Sequence, residues 1–266
     1  MSFDKFVWRC VDLLASERKL KIIELLEQKH SVTVSELTAL FPVSLETVRR
    51  DLESLEKDGL LKRVYGGAVS VKKMKNYERL SSRSSENIKE KQLLAQTAAS
   101  LIHSGDIIMI DGGTTAISLA EYISGRFKEL TVITHSLAVF RILSRQPDYK
   151  LILTGGQFFS DEEAFFGHLA VDTLRQLHAD KCFLMPSAVS LHMGISDFME
   201  EFIPLQRQML LSADKVFVLA DSSKIGTDAM MKIAPLDPSY TYITDAGLPE
   251  DIRDIYRQHG IEFVTE

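Results

Sequence analysis

The sequence predicts an α/β protein in two parts: a small N-terminal domain of three short helices followed by two short strands, and a larger C-terminal domain built on a mostly parallel sheet. Apolar residues recur at helical spacing in the first part, whereas short apolar strands alternate with helical segments after Gly105. With 266 residues, the chain has enough material for two hydrophobic cores. We expect the domains at 12–70 and 88–266, joined by a polar, serine-rich linker at 71–87.

The first two helices are predicted by periodicity and by a capping signal. The first contains apolar residues at helical spacing, namely Leu20, Ile23, Leu25 and Leu26. The second, from Val34 to Leu40, follows Thr33, and Glu36 stands three positions after that threonine. This pattern is typical of a capping box, in which each side chain bonds the backbone N–H of the other residue. Together with a third helix, the two segments fit a helix-turn-helix core.

The third helix has the features of a DNA recognition helix. One face is an apolar stripe that we expect to be buried, formed by Leu45, Val48, Leu52 and Leu55. The opposite face presents Thr47, Arg49 and Arg50, and Ser44 is placed to accept a hydrogen bond from an N–H of the first turn. Such a helix can enter the major groove. Because phosphates would repel Asp51, we expect that carboxylate to orient Arg49 or Arg50 instead.

A short basic hairpin is predicted directly after this helix. Beyond Gly59, the segment from Leu60 to Ala68 ends close to a Gly-Gly pair, which favours two strands joined by a tight turn. Arg63 and Tyr65 would then lie against DNA phosphates. An amphipathic helix with two arginines is by itself more often a solvated surface, so the DNA-binding interpretation depends on the whole spaced pattern.

That pattern resembles the N-terminal signature of the DeoR family of bacterial transcription regulators. The likeness is carried by Arg18, Ile22 and Leu26, by the run Ser44-x-x-Thr47-Val48-Arg49-Arg50-Asp51-Leu52, and by Tyr65-Gly66-Gly67-Ala68. The family often has a histidine where this chain has Tyr65. The resemblance implies a winged helix-turn-helix domain that binds operator DNA through Ser44, Thr47, Arg49, Arg50, Arg63 and Tyr65.

The charge of the chain is divided unevenly. Residues 1–80 carry 15 Lys and Arg against 12 Asp and Glu, a net charge of +3, while residues 81–266 carry 16 against 25, a net charge of −9. Affinity for DNA comes largely from neutralising phosphates, so the acidic part is not expected to lie along DNA. It needs another role.

The sequence indicates a cytoplasmic protein. No apolar run approaches the roughly twenty residues that a bilayer-spanning helix needs, and charged residues interrupt the N-terminus from Asp4 to Asp12. Cys10 and Cys182 are the two cysteines of the chain, and they fall in different predicted parts. We therefore expect no disulfide, no metal site and no cofactor.

The C-terminal part is predicted to contain a largely parallel sheet, because short apolar runs alternate with helical segments. A helix is expected from Ile88, and a second one runs to Ile123. Seven strands are predicted: Ile107 to Ile110, Thr131 to Ile133, Leu151 to Leu153, Cys182 to Met185, Val216 to Ala220, Tyr240 to Ile243 and Ile261 to Val264. Ligands of such sheets bind beyond the carboxyl ends of the strands.

Small, hydroxylic and charged residues follow several of these strands, as an anion site requires. The first such segment is Asp111-Gly112-Gly113-Thr114-Thr115, which we call the glycine loop. Its glycines permit close backbone approach, and the following helix N-terminus favours an anion. Other strands are followed by His135, by Gly155-Gly156 and by Lys224. A tight turn capped by Thr114 explains the loop equally well, Asp111 could cap a loop, and His135 could be a satisfied polar residue.

These segments also resemble the effector domain of the DeoR family, whose fold is similar to that of ribose phosphate isomerase. The resemblance implies a repressor of a carbohydrate utilisation operon, released from its operator by a phosphorylated sugar or related metabolite. Three departures stand out: His135 in place of the usual asparagine, Met185-Pro-Ser-Ala-Val189 in place of a glycine-rich turn, and Phe202 in place of an acidic residue. These departures indicate an effector that is atypical for the family.

Two questions of assembly and chemistry stay open in the sequence. Two phenylalanine pairs, Phe158-Phe159 and Phe165-Phe166, can belong to the core or to an interface between subunits. A homodimer or homotetramer is expected, since one winged helix makes too few base contacts for useful specificity. The alternative function is a sugar-phosphate isomerase-like enzyme with an appended nucleic-acid-binding domain, although no close pair of acids follows the fourth strand.

Overall fold

The computed structural model describes residues 14–29, 31–57, 60–70, 72–73 and 77–265. The chain forms two compact units that divide between Lys72 and Lys73, and each unit is described by itself. Cys10, Gly59 and Lys75, like the expected domain start at residue 12, lie outside the described residues.

Unit 1 contains the predicted helices and hairpin. Its elements are α1 (Ala15–Lys29), β1 (Ser31–Thr33), α2 (Val34–Leu40), α3 (Leu45–Lys57), β2 (Leu61–Val64) and β3 (Gly67–Ser70). The antiparallel strand order is β1-β3-β2, so β1 adds a strand that the sequence pattern did not predict. A side-chain carbon at Gly67 would lie 2.2 Å from the Val32 carbonyl oxygen, and therefore only glycine lets the two strands approach this closely.

Both predicted helix caps are confirmed. The side chain of Thr33 accepts a hydrogen bond from Glu36 N, and Glu36 accepts one from Thr33 N, which completes the capping box of α2. At the start of α3, Ser44 Oγ accepts a hydrogen bond from Thr47 N at 3.2 Å. These caps satisfy N–H groups that the first helical turn leaves without intrahelical partners.

The core of unit 1 is formed by the three helices and the hairpin. Its buried residues are Ile22, Leu26, Val32, Leu37, Phe41, Val48, Leu52, Leu55, Leu61 and Ala68. The expectation that Leu45 is buried was wrong, because its side chain is 47% exposed, and the packed stripe of α3 begins one turn later at Val48. Leu20 of α1 is likewise exposed.

The expected role of Asp51 was also wrong. Asp51 is buried, and its Oδ2 accepts a hydrogen bond from Arg18 Nε of α1 at 2.5 Å. Asp51 follows Val48 by three residues and precedes Leu55 by four, which places it on the packed face of α3 rather than beside Arg49 and Arg50. The pair thus joins α1 to α3 inside the core.

Unit 2 is built on the predicted parallel sheet. The seven predicted strands appear as β5 (Ile107–Ile110), β6 (Thr131–Thr134), β7 (Lys150–Leu153), β10 (Ala179–Leu184), β13 (Ala213–Leu219), β16 (Thr241–Ile243) and β17 (Phe263–Val264). Among the described residues their order is β17-β16-β13-β10-β5-β6-β7, and every neighbouring pair is parallel. The chain runs to one side of β5 through β6 and β7, then returns to the other side through β10. The order therefore reverses between β5 and β10, where a crevice for ligands forms in such sheets.

Helices cover the sheet and extend into the expected linker. They are α4 (Leu80–Arg83), α5 (Ile88–Ser100), α6 (Thr114–Ile123), α7 (Leu137–Leu143), α8 (His168–Arg175), α9 (Ile203–Leu211) and α10 (Glu250–Arg257). The segment 77–87, expected to be a linker, contains α4 and belongs to unit 2. Its Leu80 side chain is buried, and Leu80 N donates to the Asp161 carbonyl oxygen. The polar, serine-rich composition predicted a solvated linker, because composition alone gives no information about contacts with residues distant in sequence.

Smaller strands lie outside the parallel sheet, and the sequence pattern did not predict them. A hairpin joins β8 (Gln157–Phe159) to β9 (Ala164–Phe166), and a second antiparallel sheet has the order β11-β12-β15. Its strands are β11 (Ala188–Ser190), β12 (Gly194–Asp197) and β15 (Met231–Ala234), while β4 (Lys72–Lys73) and β14 (Thr227–Asp228) are two-residue strands. In the described part of the chain, no helix is long and apolar enough to cross a membrane.

The buried ion pair in unit 1 yields a stability prediction. Asp51→Asn should lower the free energy of unfolding by about 3–5 kcal/mol, because it removes the carboxylate from a buried ion pair between α1 and α3. Denaturant unfolding of unit 1 measures the change. Glu46→Gln is the control, since the Arg50–Glu46 pair is exposed at 3.5 Å and its loss should cost less than about 1 kcal/mol. Equal losses in the two variants would contradict the structural role of Asp51.

Candidate functional site

A cavity of about 380 Å³ lies in unit 2 where the order of the strands reverses. Residues directly after the parallel strands form much of its wall: Asp111 and Gly112 after β5, His135 after β6, Met185 after β10, and Asp221 after β13. Helix α9 and segment 77–87 supply further walls. The cavity therefore occupies the position at which the carboxyl ends of parallel strands bind ligands.

Most of the effector residues expected from the sequence line this cavity. They are Asp111, Gly112, Gly113, Thr114, His135 and Lys224. Thr115 is buried but is not among the lining residues of the described chain, and neither are Gly155 and Gly156. Gly156 lies instead beside Phe166 of the β8–β9 hairpin and Ala170 of α8. Six of the nine predicted effector residues therefore lie around one cavity.

The glycine loop leads into the N-terminus of α6. Gly113 is the N-cap residue and has φ 93°, a left-handed conformation that glycine adopts without strain. Thr114 is the first residue of the ten-residue helix, so it does not cap the turn, and no described side chain bonds the first-turn N–H groups as a cap. These groups and the helix dipole favour an anion at this end of the cavity.

Asp111 is the centre of a buried hydrogen-bond network. Its Oδ1 lies 2.8 Å from His135 Nε2, and its Oδ2 accepts hydrogen bonds from Met185 N at 3.1 Å and Gln206 Nε2 at 3.3 Å. The same Gln206 amide donates to Asp197 Oδ2 at 3.0 Å. Residues from three strand ends, from α9 and from β12 are therefore held in fixed positions around the cavity.

Several deeply buried polar atoms of the cavity wall have no hydrogen-bond partner among the described residues. They are His135 Nδ1, Gln206 Oε1 and Asp221 Oδ2, on residues that are 3%, 3% and 1% exposed. Because a buried polar atom without a partner is costly, most such atoms in proteins are satisfied by protein, water or ligand. The sequence left His135 as either a ligand contact or a satisfied polar residue. One ring nitrogen bonds Asp111, and the other has no protein partner among the described residues.

Cationic side chains converge at one end of the cavity. Lys224 Nζ donates to the Pro186 carbonyl oxygen at 3.3 Å, and buried Lys91 Nζ donates to the carbonyl oxygens of Arg83 and Glu86 at 2.6 Å each. Burial lowers the pKa of Lys91, and the charge of Lys224 lowers that pKa further, while the carboxylates of Asp221 and Glu86 act in the opposite direction. The two ammonium groups are therefore close enough to repel each other, with acidic side chains beside them.

Segment 77–87 closes this part of the wall with an ion pair. Arg83 Nη2 contacts both carboxylate oxygens of Glu162 at 2.5 Å, and Tyr77 Oη donates to Glu162 Oε1 at 2.7 Å. Burial and the hydrogen bond to Glu162 raise the pKa of Tyr77, so the phenol stays neutral and continues to donate. Glu162 lies in the turn of the β8–β9 hairpin, between Asp161 and Glu163.

Aromatic side chains cover the remaining wall. The Phe202 ring centroid lies 5.4 Å from the His135 ring, 5.9 Å from Phe166 and 6.4 Å from Phe159. Phe158 is 47% exposed and contacts Phe165 at 5.2 Å. The phenylalanine pairs are thus divided: Phe159 and Phe166 pack against Phe202, and Phe158 lies at the surface.

The sequence pattern missed several residues of this wall. Gln206 and Arg83 gave no local signal, because Asp111 and Glu162, their partners, lie 95 and 79 residues away in sequence. Lys91 did leave one, since it shares helical spacing with the buried Leu94, Ala95 and Ala98 of α5. A lysine on an apolar helix face requires a polar partner inside the fold.

The expected DNA-binding residues lie on the surface of unit 1. Arg49, Arg50 and Arg63 are exposed, Thr47 is half-buried, and Ser44 bonds Thr47 at the exposed start of α3. Tyr65 stands in the turn between β2 and β3 and is 87% exposed. A helix with exposed arginines beside a projecting hairpin is the arrangement of a winged helix-turn-helix.

Family comparison decides the assignment. The DeoR-like helix-turn-helix domain matches residues 18–74, and the DeoR C terminal sensor domain matches residues 86–246. The protein belongs to the DeoR family of transcriptional regulators. This membership places the chain among regulators rather than among the isomerase-like enzymes that the sequence left as an alternative.

Relatives of similar length support the assignment. The chain is 39% identical to the uncharacterized HTH-type transcriptional regulator YulB of Bacillus subtilis, over 89% of this chain and 91% of the relative. It is 33% identical to the HTH-type transcriptional regulator GolR of Listeria innocua, over 92% and 96%. It is 37% identical to the lactose phosphotransferase system repressor of Lactococcus lactis, over 77% and 80%.

Solved structures show a more distant likeness. A ribose-5-phosphate isomerase in complex with phospho-erythronic acid matches with a TM-score of 0.40 and 13% identity, over 52% of this chain and 54% of that chain. The ribose 5-phosphate isomerase A of Methanocaldococcus jannaschii matches with a TM-score of 0.39 and 19% identity, over 53% and 55%.

The proximity of the two lysines yields a prediction for the ligand-free protein. Lys224→Gln should raise the pKa of Lys91, because it removes a like charge that opposes protonation of the buried ammonium. NMR titration of the Lys91 side chain measures this shift. Lys89→Gln is the control, since Lys89 is exposed on α5 and is not among the causes that lower the pKa of Lys91. An unchanged Lys91 pKa in Lys224→Gln would contradict the proximity of the two charges.

Proposed function

We propose that this protein is a repressor of a carbohydrate utilisation operon, and that a phosphorylated sugar or related metabolite releases it from its operator. In this proposal residues 12–70 bind DNA, and residues 88–266, with segment 77–87 in the cavity wall, sense the effector and form the oligomer. The observation that carries the effector assignment is the polarity of the cavity. One end holds Arg83, Lys91 and Lys224, together with acidic partners, and lies beside a helix N-terminus, while the other end presents hydrogen-bonding side chains next to the Phe202 ring.

The phosphate of the effector would bind at the glycine loop. First-turn N–H groups of α6 supply donors without side-chain competition, and Thr114 adds a hydroxyl. Lys224 provides a positive charge from a different strand end, and Lys91 lies close to it. A dianion at this position would offset the repulsion between the two ammonium groups.

The sugar would bind towards Asp111 and α9. Carboxylate and amide groups recognise hydroxyls through directed hydrogen bonds, and buried His135 Nδ1 and Gln206 Oε1 have no protein partner among the described residues. The apolar faces of Phe202 and Met185 line the same region and suit the C–H face of a sugar ring. Glucose-sized ligands fit comfortably in about 380 Å³.

DNA recognition would use the exposed surface of unit 1. Thr47, Arg49 and Arg50 would enter the major groove, with Ser44 at the helix start, while Arg63 and Tyr65 would contact the backbone. A homodimer or homotetramer would place two such units in successive half-sites, which supplies the specificity that one unit lacks. Effector binding would favour an arrangement of subunits that no longer matches the half-site spacing.

Relatives add support for the sugar pathway. One similar protein is named as a lactose phosphotransferase system repressor and another as an L-fucose operon activator, so names in this family include both signs of regulation. We favour repression because loss of operator binding is the simplest consequence of a change in subunit arrangement.

The effector assignment predicts selective thermal stabilisation. A phosphorylated sugar that binds only the folded protein should raise the unfolding midpoint, whereas its unphosphorylated parent should not, because the phosphate supplies the charge contacts. Differential scanning fluorimetry across sugar phosphates, their parents and inorganic phosphate measures this. Equal stabilisation by a sugar and its phosphate would contradict an anion site at the glycine loop.

The DNA assignment predicts a position-specific loss of affinity. Arg50→Ala should weaken operator binding by about 10- to 100-fold, while effector binding is unchanged. Lys57→Ala is the matched control, since the two side chains are 77% and 76% exposed on the same helix but Lys57 lies in the last turn of α3. Gel retardation measures both variants. Full affinity in Arg50→Ala would refute the recognition-helix assignment.

A variant of the cavity should show the reverse behaviour. Lys224→Ala should retain operator affinity but resist release by the effector, because the phosphate loses a charged partner. Lys215→Ala is the control, as Lys215 is exposed on β13 and is not among the lining residues of the cavity. Normal release of the Lys224→Ala complex would place the effector elsewhere.

A further inference from the structure

The wall of the cavity carries more negative than positive charge. Among the described residues, six acidic side chains line it together with the three cationic side chains described above, a formal charge of −3 with the histidine counted as neutral. The acidic residues are Glu78, Glu86, Asp111, Glu162, Asp197 and Asp221. A phosphate group brings a further charge of about −2. A ligand that is only anionic is therefore opposed by part of this wall.

The cationic side chains neutralise only some of these carboxylates. Arg83 pairs with Glu162. Burial lowers the pKa of Lys91 and the carboxylate of Asp221 raises it, which places that carboxylate close to the ammonium group. The two glutamates of segment 77–87 are exposed, so water screens their charges. The two remaining carboxylates of the wall have no lysine or arginine partner in the described part of the chain.

These two, Asp111 and Asp197, form what we call the carboxylate pair. Asp197 Oδ1 accepts hydrogen bonds from Ser187 Oγ at 2.8 Å and from Phe198 N at 2.7 Å. Its Oδ2 accepts one from Gln206 Nε2 at 3.0 Å, so all three donors are neutral. The donors to Asp111 are the imidazole, backbone and amide groups described above. Whether the imidazole is neutral or protonated, the carboxylate pair and its partners keep a net negative charge.

The amide of Gln206 joins the carboxylate pair, and this contact fixes the orientation of the amide. Nε2 lies 3.3 Å from Asp111 Oδ2 and 3.0 Å from Asp197 Oδ2, so its two N–H groups are both used. A reversed amide would place an oxygen against two carboxylate oxygens, none of which can donate. Oε1 therefore faces away from the pair as an acceptor. It is buried and has no hydrogen-bond partner among the described residues.

The other unpartnered atoms of the cavity wall are acceptors as well. Because an ionised Asp111 only accepts, the neutral imidazole of His135 carries its proton on Nε2, and Nδ1 is left as an acceptor. Asp221 Oδ2 is a carboxylate oxygen without a partner among the described residues. A ligand that satisfies this wall must bring donors. Beside the carboxylate pair, a cationic donor makes a stronger hydrogen bond than a neutral one.

We propose that the effector is a phosphorylated amino sugar, whose ammonium group lies against Asp197 and Gln206 while its phosphate lies at the glycine loop. An ammonium group brings three donors and a positive charge, whereas a hydroxyl brings one donor and no charge. The ammonium group donates to Gln206 Oε1 and offsets the charge of the carboxylate pair. This inference rests on the proposed function, because it assumes that the same cavity binds the phosphate.

Pairs of ligands that differ in one group test the inference on the full-length wild-type protein. Isothermal titration compares glucosamine 6-phosphate with glucose 6-phosphate, and galactosamine 6-phosphate with galactose 6-phosphate. In at least one pair the amino sugar should bind about tenfold more tightly, because the hydroxyl compound leaves the carboxylate pair without a cation. A preference below about threefold in both pairs, or no binding of either amino sugar phosphate, would overturn the inference.

Acetylated ligands show whether the positive charge is what the protein recognises. N-acetylglucosamine 6-phosphate and N-acetylgalactosamine 6-phosphate keep the nitrogen atom but lose its charge. The acetylated form of the preferred amino sugar should bind at least about tenfold more weakly than the amine. Equal or tighter binding of the acetylated form would show that no cation is recognised, and it would overturn the inference as well.

A variant of the carboxylate pair tests where the ammonium group lies. Asp197→Asn should reduce the preference for the amino sugar to about twofold or less, while the affinity for the hydroxyl compound changes by less than about twofold. Asp172→Asn is the control, since it removes the same charge from an exposed residue that pairs with Arg175 and is not among the lining residues of the cavity. A full preference in Asp197→Asn would contradict the placement of the ammonium group.

The titrations of the wild-type protein do not depend on the folding of a variant, and they distinguish this inference from the proposed function. Binding of a hydroxyl sugar phosphate without a preference for its amino counterpart would support the proposed function and overturn only the inference. No binding of any of these phosphorylated sugars would count against both.

Discussion

The cavity of unit 2 depends on the buried carboxylate of Asp111. Asp111 follows β5, the strand on which the order of the sheet reverses, and its two oxygens bond His135, the Met185 backbone and Gln206. An unpaired carboxylate at 2% exposure would be costly, so these donors must be in place for the fold to tolerate it. The hydrogen bonds to this one carboxylate therefore hold the ends of three strands and the first part of α9 in place relative to the glycine loop.

This network joins the three segments that the sequence marked as unusual. His135 bonds Asp111 and packs against Phe202, and the turn that begins at Met185 donates its backbone N–H to the same carboxylate. Gln206 then links Asp111 to Asp197. The same segments also reach the glycine loop and Lys224, since a side-chain carbon at Gly112 would lie 3.1 Å from the His135 ring and Lys224 Nζ donates to the Pro186 carbonyl oxygen. They therefore shape both ends of the cavity.

The sequence predicted features that depend on local pattern, and it missed those that depend on distant partners. Seven strands, the caps of α2 and α3 and the position of the glycine loop follow from periodicity, capping residues and the order of elements. Asp51 was misread because its partner Arg18 lies 33 residues away, and segment 77–87 was read as linker because its contacts come from the β8–β9 turn. Gln206 and Arg83 carry no local mark of their position. Gly155 and Gly156 were expected at the site because they follow a strand, but β7 lies at the edge of the sheet, away from the reversal of strand order.

Binding of an anion at the N-terminus of α6 is tested most directly by backbone NMR. Amide chemical shifts of the isotope-labelled full-length protein are followed during titration with inorganic phosphate. We expect the largest, saturable shifts at the amides of Gly113, Thr114 and Thr115, because a phosphate bound there would accept their hydrogen bonds. Saturable shifts confined to the exposed arginines of unit 1, with none at the glycine loop, would contradict it.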